Sequence, residues 1–397
     1  MAPDLSLTVV APTPFFTEGG CSYRVLGETR AFIRMGVSTN ILTYPSGRDW
    51  PGMHILRPRQ SSRKMGIGLN PIRPLYDLEL LRLLLRNDPS SSYLHVHLHE
   101  GGLLGRLEKA LRGHSYLLDL EGSFLEEAAR TFPWMAKGLI GAIGRSLEAS
   151  LESSAGQVVV SSQGLFDALS KTAHIGPDRL HHVPDGVEVS DFTPRDHVSS
   201  EVRERLRKKY GFSMNNVVAV YVGGISPQQG INDILETAPE MLKAVPELRF
   251  LIYGTASQLN SLQTYQERAK ELGLQKIVLF PGPIPYEEVP LALAACDIGL
   301  TWKYSVLEGS GKIPLYMAAG IPTVALETPA HRYYLGSDDS RGGIVTKDKD
   351  GAAKATIDLA LDGSRRTSMG RKAREVAERD LSWDNVAKRL IDLHKLA

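Results

Sequence analysis

Three groups of side chains in this 397-residue sequence have types and spacing suited to chemistry. In DLEGS, Asp119 and Glu121 stand two residues apart, so on a strand they point the same way. Two carboxylates converging on one cleft share a raised proton affinity or bind a polar group. The competing role is structural, because Ser123 and Glu126 have the S-x-x-E spacing of a helix capping box. Glu121 is the one placed in the cleft. In YLHVHLHEGG, His95, His97 and His99 alternate on one face, a pattern that can hold zinc. No cysteine or acid completes the set except Glu100, on the opposite face, so no metal is expected. His99, beside the glycines at the strand end, is the functional candidate there, and the others read as core. In EGSGK, Glu308, Gly309, Ser310, Gly311 and Lys312 open a helix. Such a turn either lets backbone N–H groups approach an anion or is an ordinary helix start with a capping acid.

The elements that must position these residues alternate as strand, loop and helix. LSLTVVAP at 5–12 is an apolar strand, followed by a loop ending in Gly19-Gly20 and a helix over 21–36. VSTNILTYP, the strand over 93–102, the strand over 115–123 and GQVVVSSQ at 156–163 continue the pattern. NVVAVYVGGIS at 216–226 starts a second series, with a helix from about Gly230, then LRFLIYG, KIVLFPG, DIGLTW and IPTVALE. Short apolar runs closed by glycine or proline are strands buried on both faces, as in parallel sheets. The segment at 133–154 carries an apolar stripe flanked by Lys137 and Arg145; it fits a buried helix better than one lying on anionic lipid. The expected architecture is α/β: two Rossmann-like doubly wound domains facing a central cleft. The first spans 1–195, completed by a tail helix over 382–397, and the second spans 196–381.

Composition narrows the functional classes. Apolar residues make up 42% and charged residues 23%, which excludes disorder, collagen and coiled coil for the bulk of the chain. With 46 basic and 45 acidic side chains the formal charge is +1, against a protein built mainly to hold nucleic acid. Cys21 and Cys296 form no disulfide framework, so a reducing compartment is the simpler expectation. The start has an acid at Asp4 and no positive leader region, and no stretch approaches a membrane span. A soluble cytoplasmic protein is expected, with peripheral membrane contact still open. No strand is followed by G-x-G-x-x-G or G-x-x-x-x-G-K-[ST], which counts against a dehydrogenase and a P-loop enzyme.

Four segments in order, covering nearly the whole chain, resemble the GT-B glycosyltransferases, specifically the large retaining family 4. They are Gly19-Gly20 with the following helix, VPDGVEVSDFTP at 183–194, YVGGISPQQGINDILETAPEML, and EGSGKIPLYMAAGIPTVALETPA at 308–330. The resemblance implies a sugar-nucleotide donor, retention of anomeric configuration and no metal or other cofactor. It places Gly19 and Gly20 at the donor–acceptor junction, and Gly223, Gly224 and the EGSGK turn at the diphosphate. It makes Glu308 the acid that accepts hydrogen bonds from donor-sugar hydroxyls. Glu121 takes the place of a family histidine near the donor sugar, where it orients the acceptor hydroxyl or takes its proton; His99 and Asp119 are further acceptor-side candidates.

The sequence also departs from the family pattern. The family's second acid, a ribose ligand, falls at Tyr316 or Leu315, and its diphosphate arginine and lysine fall at Gly224 and Gln229. Lys303 and Lys312 are the nearby cations that could neutralise a diphosphate in their stead. The expected activity is a glycosyltransferase moving sugar from a nucleotide-sugar to an acceptor of unassigned type: a glycan, a lipid-linked molecule or a small molecule. The alternatives are a catalytically degenerate sugar-nucleotide-binding subunit and, behind it, a sugar-nucleotide 2-epimerase.

Overall fold

A computed structural model describes residues 5–17, 19–58, 72–87, 92–256 and 262–397. Asp4, cited against a leader, lies outside them. Contacts divide the chain into two units. One is Met1–Asp185 with Leu307–Gly309 and Trp383–Ala397; the other is Gly186–Val306 with Ser310–Ser382. The division falls after Asp185, and Trp383–Ala397 counts with the first unit.

The first unit holds a seven-stranded parallel sheet. Its strands are β1 Ser6–Ala11, β2 Ser38–Thr43, β3 His54–Leu56, β4 Tyr93–His97, β5 Tyr116–Leu120, β6 Gln157–Val160 and β7 Leu180–His182. Their order is β3-β2-β1-β4-β5-β6-β7. The register runs Leu7 beside Tyr93 and Val96 beside Leu118, which keeps the apolar residues of the central strands in step. Every residue of β5 is buried, as a strand covered on both faces requires. The helix Gly20–Arg34 lies against the tail helix Trp383–His394. Gly27 permits that approach, since a Cβ there would come within 2.0 Å of the Trp383 ring.

The second unit holds a six-stranded parallel sheet. It comprises β8 Val217–Val222, β9 Leu248–Tyr253, β10 Val278–Gly282, β11 Ile298–Thr301, β12 Thr323–Leu326 and β13 Gly343–Thr346, in the order β10-β9-β8-β11-β12-β13. Both sheets are doubly wound, as expected. Asp297, one residue before β11, is a buried polar hub. It accepts from Arg195 at 2.6 Å, Arg203 at 2.8 Å, Arg207 at 2.5 Å and the Val218 N–H at 2.8 Å. Burial works to raise its carboxyl, but Arg195, Arg207 and Arg203 outweigh that and hold it below the usual range.

The helix expected to be buried is not. Pro133–Ala136 forms a separate 3-10 turn, and the helix runs Gly138–Ser154. Leu139 is 77% exposed and Ile143 60%, and only the far end of the stripe, Leu151, is covered. An apolar period marks a helix face but does not say whether a neighbour exists to cover it. Among the described residues no helix is long and apolar enough to cross a membrane.

Candidate functional site

In a doubly wound sheet, ligands bind beyond the strand C-termini, at the switch point where the chain leaves two neighbouring strands in opposite directions. In the second unit those strands are β8 and β11. β8 ends at Val222, and Gly223 takes φ 142°, a conformation that residues with side chains rarely adopt. At Gly224 nothing lies within 4 Å of where a Cβ would stand. The Lys312 ammonium is held over this turn. Its Nζ donates to Gln229 Oε1 at 3.3 Å and lies 5.0 Å from the centre of the Tyr221 ring. Its Cε is 3.1 Å from the Cβ position of Gly223. Tyr221 in turn donates to the Gly224 carbonyl at 2.5 Å, and Gln229 Oε1 lies 3.2 Å from the same hydroxyl. A cation, an open glycine backbone and a carboxamide therefore share one corner, a suitable set for an anion.

β11 delivers the other side. Lys303, two residues beyond its end, is 2% exposed. Ser310 is buried, with its hydroxyl 3.1 Å from His331 Nε2. Thr301 Oγ1 lies 3.2 Å from the same nitrogen. His331 Nδ1 is 2.5 Å from the Leu326 carbonyl, so Nδ1 carries the proton and Nε2 accepts. Burial first, then the charge of Lys303, pushes this imidazole down to about 3, so it is neutral at physiological pH. It fixes the Ser310 hydroxyl just before the exposed Gly311 and the helix Lys312–Ala318. Glu308 and Gly309 are half-buried and count with the first unit.

Tyr316 stands where the family pattern has a ribose acid, and its hydroxyl is structural. It accepts from the Val222 N–H at 2.9 Å and donates to the Leu300 carbonyl at 3.3 Å, joining the ends of β8 and β11. Leu315 is buried in the same core cluster.

The first unit has its own switch point, between β1 and β4. Gly19 caps the helix that Gly20 begins, and neither meets an atom within 4 Å of its Cβ position. Glu121, just past β5, is half-buried, with Oε1 sealed and without a hydrogen-bond partner. Burial first, then the charge of Asp185, pushes its carboxyl up to about 8, against Arg24 and a hydrogen bond to Cys21. The capping expectation for its neighbour holds: Ser123 Oγ accepts from the Glu126 N–H at 3.2 Å.

Two acceptor-side candidates sit differently from the sequence expectation. Asp119 is fully buried, taking bonds from Arg24 Nε at 3.0 Å and Nη2 at 2.8 Å. It faces that guanidinium rather than a cleft. His99 is not on the strand: β4 stops at His97, Leu98 takes φ 65°, and His99 lies in the first turn of the helix Leu98–Arg112. It is buried, with Nε2 3.5 Å from Glu148. His95 and His97 are core, as expected, but their acids were missed. Glu28 and Asp119 join them in one buried cluster whose ligand atoms all lie within 4.8 Å of one another. Arg24 and Glu28, an i,i+4 pair inside an apolar helix face, were the available signal. Tyr221 and His331 were also missed. The signal for Tyr221 was an aromatic hydroxyl at the end of an apolar strand running into Gly-Gly.

Comparison with known proteins agrees with this layout. Residues 202–376 match the family of glycosyl transferases group 1. A D-inositol 3-phosphate glycosyltransferase of Acidothermus cellulolyticus is 26% identical over 404 residues, covering 95% of this chain and 85% of that protein. Residues 202–376 thus resemble the glycosyl transferases group 1 family. Another relative is a GDP-mannose-dependent alpha-(1-6)-phosphatidylinositol monomannoside mannosyltransferase of Mycolicibacterium smegmatis. It is 30% identical over 226 residues, 54% of this chain and 56% of that protein. A D-inositol 3-phosphate glycosyltransferase of Corynebacterium kroppenstedtii is 29% identical over 63% of this chain and 55% of that protein. The chain thus spans little more than half the length of these last two relatives. Solved GT-B structures share the fold of this chain. Sucrose-phosphate synthase of Thermosynechococcus elongatus superposes with a TM-score of 0.79 at 15% identity, covering 98% of each chain. The catalytic domain of starch synthase IV of Arabidopsis thaliana, bound to ADP and acarbose, gives 0.77 at 14%, covering 99% of each.

Proposed function

We propose that this chain is a sugar-nucleotide-dependent glycosyltransferase that moves a sugar to an acceptor hydroxyl, with retention of configuration and without a metal or other cofactor in the transfer step. The observation that carries the reading is the corner at the end of β8, where Lys312 stands over the Gly223-Gly224 backbone. The breaking bond leaves a nucleoside diphosphate, whose charge grows as the sugar departs. A pre-placed ammonium and the open backbone at Gly224 stabilise that charge without reorganising at the moment of reaction. Lys303 adds a second cation close to Ser310 and His331, since its charge is felt at that imidazole. Glu308 and Gly309, next in sequence to Ser310, hold the hydroxyls of the donor sugar, and Glu121 orients the acceptor hydroxyl.

The names of the relatives support nucleotide-sugar donors and inositol-type or glycolipid acceptors as the first compounds to try. The exposed face of Leu139, Ile140, Ile143 and Leu147, flanked by Lys137 and Arg145, supports a peripheral contact with a lipid surface from the cytoplasmic side. Calorimetry with UDP, GDP and ADP, followed by product analysis with the matching nucleotide-sugars, tests the reading. Transfer of the sugar to an added acceptor supports it. Binding without turnover favours the degenerate subunit, and isomerised donor in the absence of acceptor favours the epimerase.

A further inference from the structure

Inside the first unit, six nitrogen and oxygen atoms of four fully buried side chains lack a hydrogen-bond partner: both oxygens of Glu28, both ring nitrogens of His97, Nε2 of His95 and Nδ1 of His394. Buried polar atoms are normally satisfied, and each orphan costs its desolvation. Glu28 Oε1 has an ion-pair contact with Arg24 Nε at 3.1 Å, and the other five in one place point to a missing occupant.

The spacing indicates what kind. His95 Nε2 lies 3.7 Å from Glu28 Oε2 and 3.5 Å from Asp119 Oδ2, and His97 Nε2 lies 3.5 Å from Glu28 Oε2. These separations lie at or beyond the outer limit of hydrogen bonds. They are close to the edge of a tetrahedron, about 3.4 Å, when nitrogen and oxygen ligands sit about 2.0–2.2 Å from one central zinc ion. Charge agrees. Arg24 pairs with Glu28, Asp119 and Asp185, so three buried or half-buried carboxylates face one guanidinium. One guanidinium among these carboxylates leaves room for a further positive charge at the cluster. The outer contacts suit a ligating histidine as well: the second nitrogen of His95, Nδ1, is 3.0 Å from His394 Nε2, which fixes the ring orientation.

We propose that Glu28, His95, His97 and Asp119 form a closed four-ligand zinc site within the first unit. Four protein ligands and complete burial leave no open position for substrate, so the site is structural rather than catalytic. It ties the helix Gly20–Arg34 to β4 and β5 and thereby fixes the start of that helix, where Gly19 and Gly20 stand.

The full chain, stripped with EDTA and dialysed against micromolar zinc, is expected to retain close to one zinc per chain by plasma mass spectrometry. His97→Gln and Glu28→Gln should lose it, and His54→Gln, an exposed edge-strand control, should keep it. Should the cluster variants fail to fold, cobalt replaces them as the probe: the wild-type chain should show the intense visible bands of tetrahedral cobalt, displaced by one equivalent of zinc. Absence of uptake, an octahedral cobalt spectrum, or undiminished zinc in a folded His97→Gln variant would overturn the proposal.

Discussion

Replacing Lys312 by methionine isolates one charge. The side chain lies along Gly223 and over the Tyr221 ring, and methionine keeps that stem while removing the ammonium. A charge-assisted hydrogen bond contributes about 1.5–3 kcal/mol. At about 1.4 kcal/mol per factor of ten, its loss should weaken nucleoside diphosphate binding roughly 10- to 150-fold. Lys312 is half-buried, so water screens part of its charge and the lower end of that range is the expected result. Calorimetry should compare the diphosphate that the wild-type chain binds with its parent nucleoside, at low and at physiological salt. The diphosphate should lose affinity and the nucleoside should not, and the wild-type advantage should shrink as salt rises. Folding stability should fall by no more than about 1 kcal/mol, the value of a surface cation–π contact. The reasoning fails if diphosphate affinity is unchanged, or if nucleoside and diphosphate weaken equally.

Other expectations concern the frame that holds the corner. Asp297→Asn leaves three arginines facing an uncharged amide and should cost about 3–5 kcal/mol in urea unfolding. The folded carboxyl of Asp297 is held below its unfolded value of about 3.9. Its contribution is therefore full above that pH and lost as pH falls through the folded value; Asp297→Asn should flatten the acid limb of the stability curve. Tyr316→Phe strands the Val222 N–H and should cost about 1–3 kcal/mol, with a matching fall in Tm. It should also weaken diphosphate binding by loosening Gly223; an unchanged Tm would contradict the role assigned to that hydroxyl.

The ends of β1, β8 and β11 were legible because each is an apolar run closed by a recognisable break. Topology then brings Gly223 and Lys312 together without any further signal. The short edge strands β3, β7 and β13 were not legible. Three or four residues covered on one side carry no distinctive apolar run. His99 was misplaced because a single left-handed residue, Leu98, ends β4 early, and nothing about leucine announces it. The buried cluster was out of reach for a different reason. Glu28, His97 and Asp119 come from a helix and two strands far apart in sequence, and only pairing of β1, β4 and β5 makes them neighbours. The helix Gly138–Ser154 had the right period, but periodicity is silent on whether a face is covered.

The central claim is sugar transfer, and a direct measurement is mass-spectrometric product analysis of the purified chain incubated with a panel of nucleotide-sugars and inositol-type or glycolipid acceptors, alongside Glu308→Gln. The account predicts a glycosylated acceptor with one nucleoside diphosphate released per transfer. In Glu308→Gln, transfer should fall at least about tenfold while free nucleoside diphosphate still binds. A donor that binds and is never consumed, or a Glu308→Gln variant as active as the wild type, would contradict it.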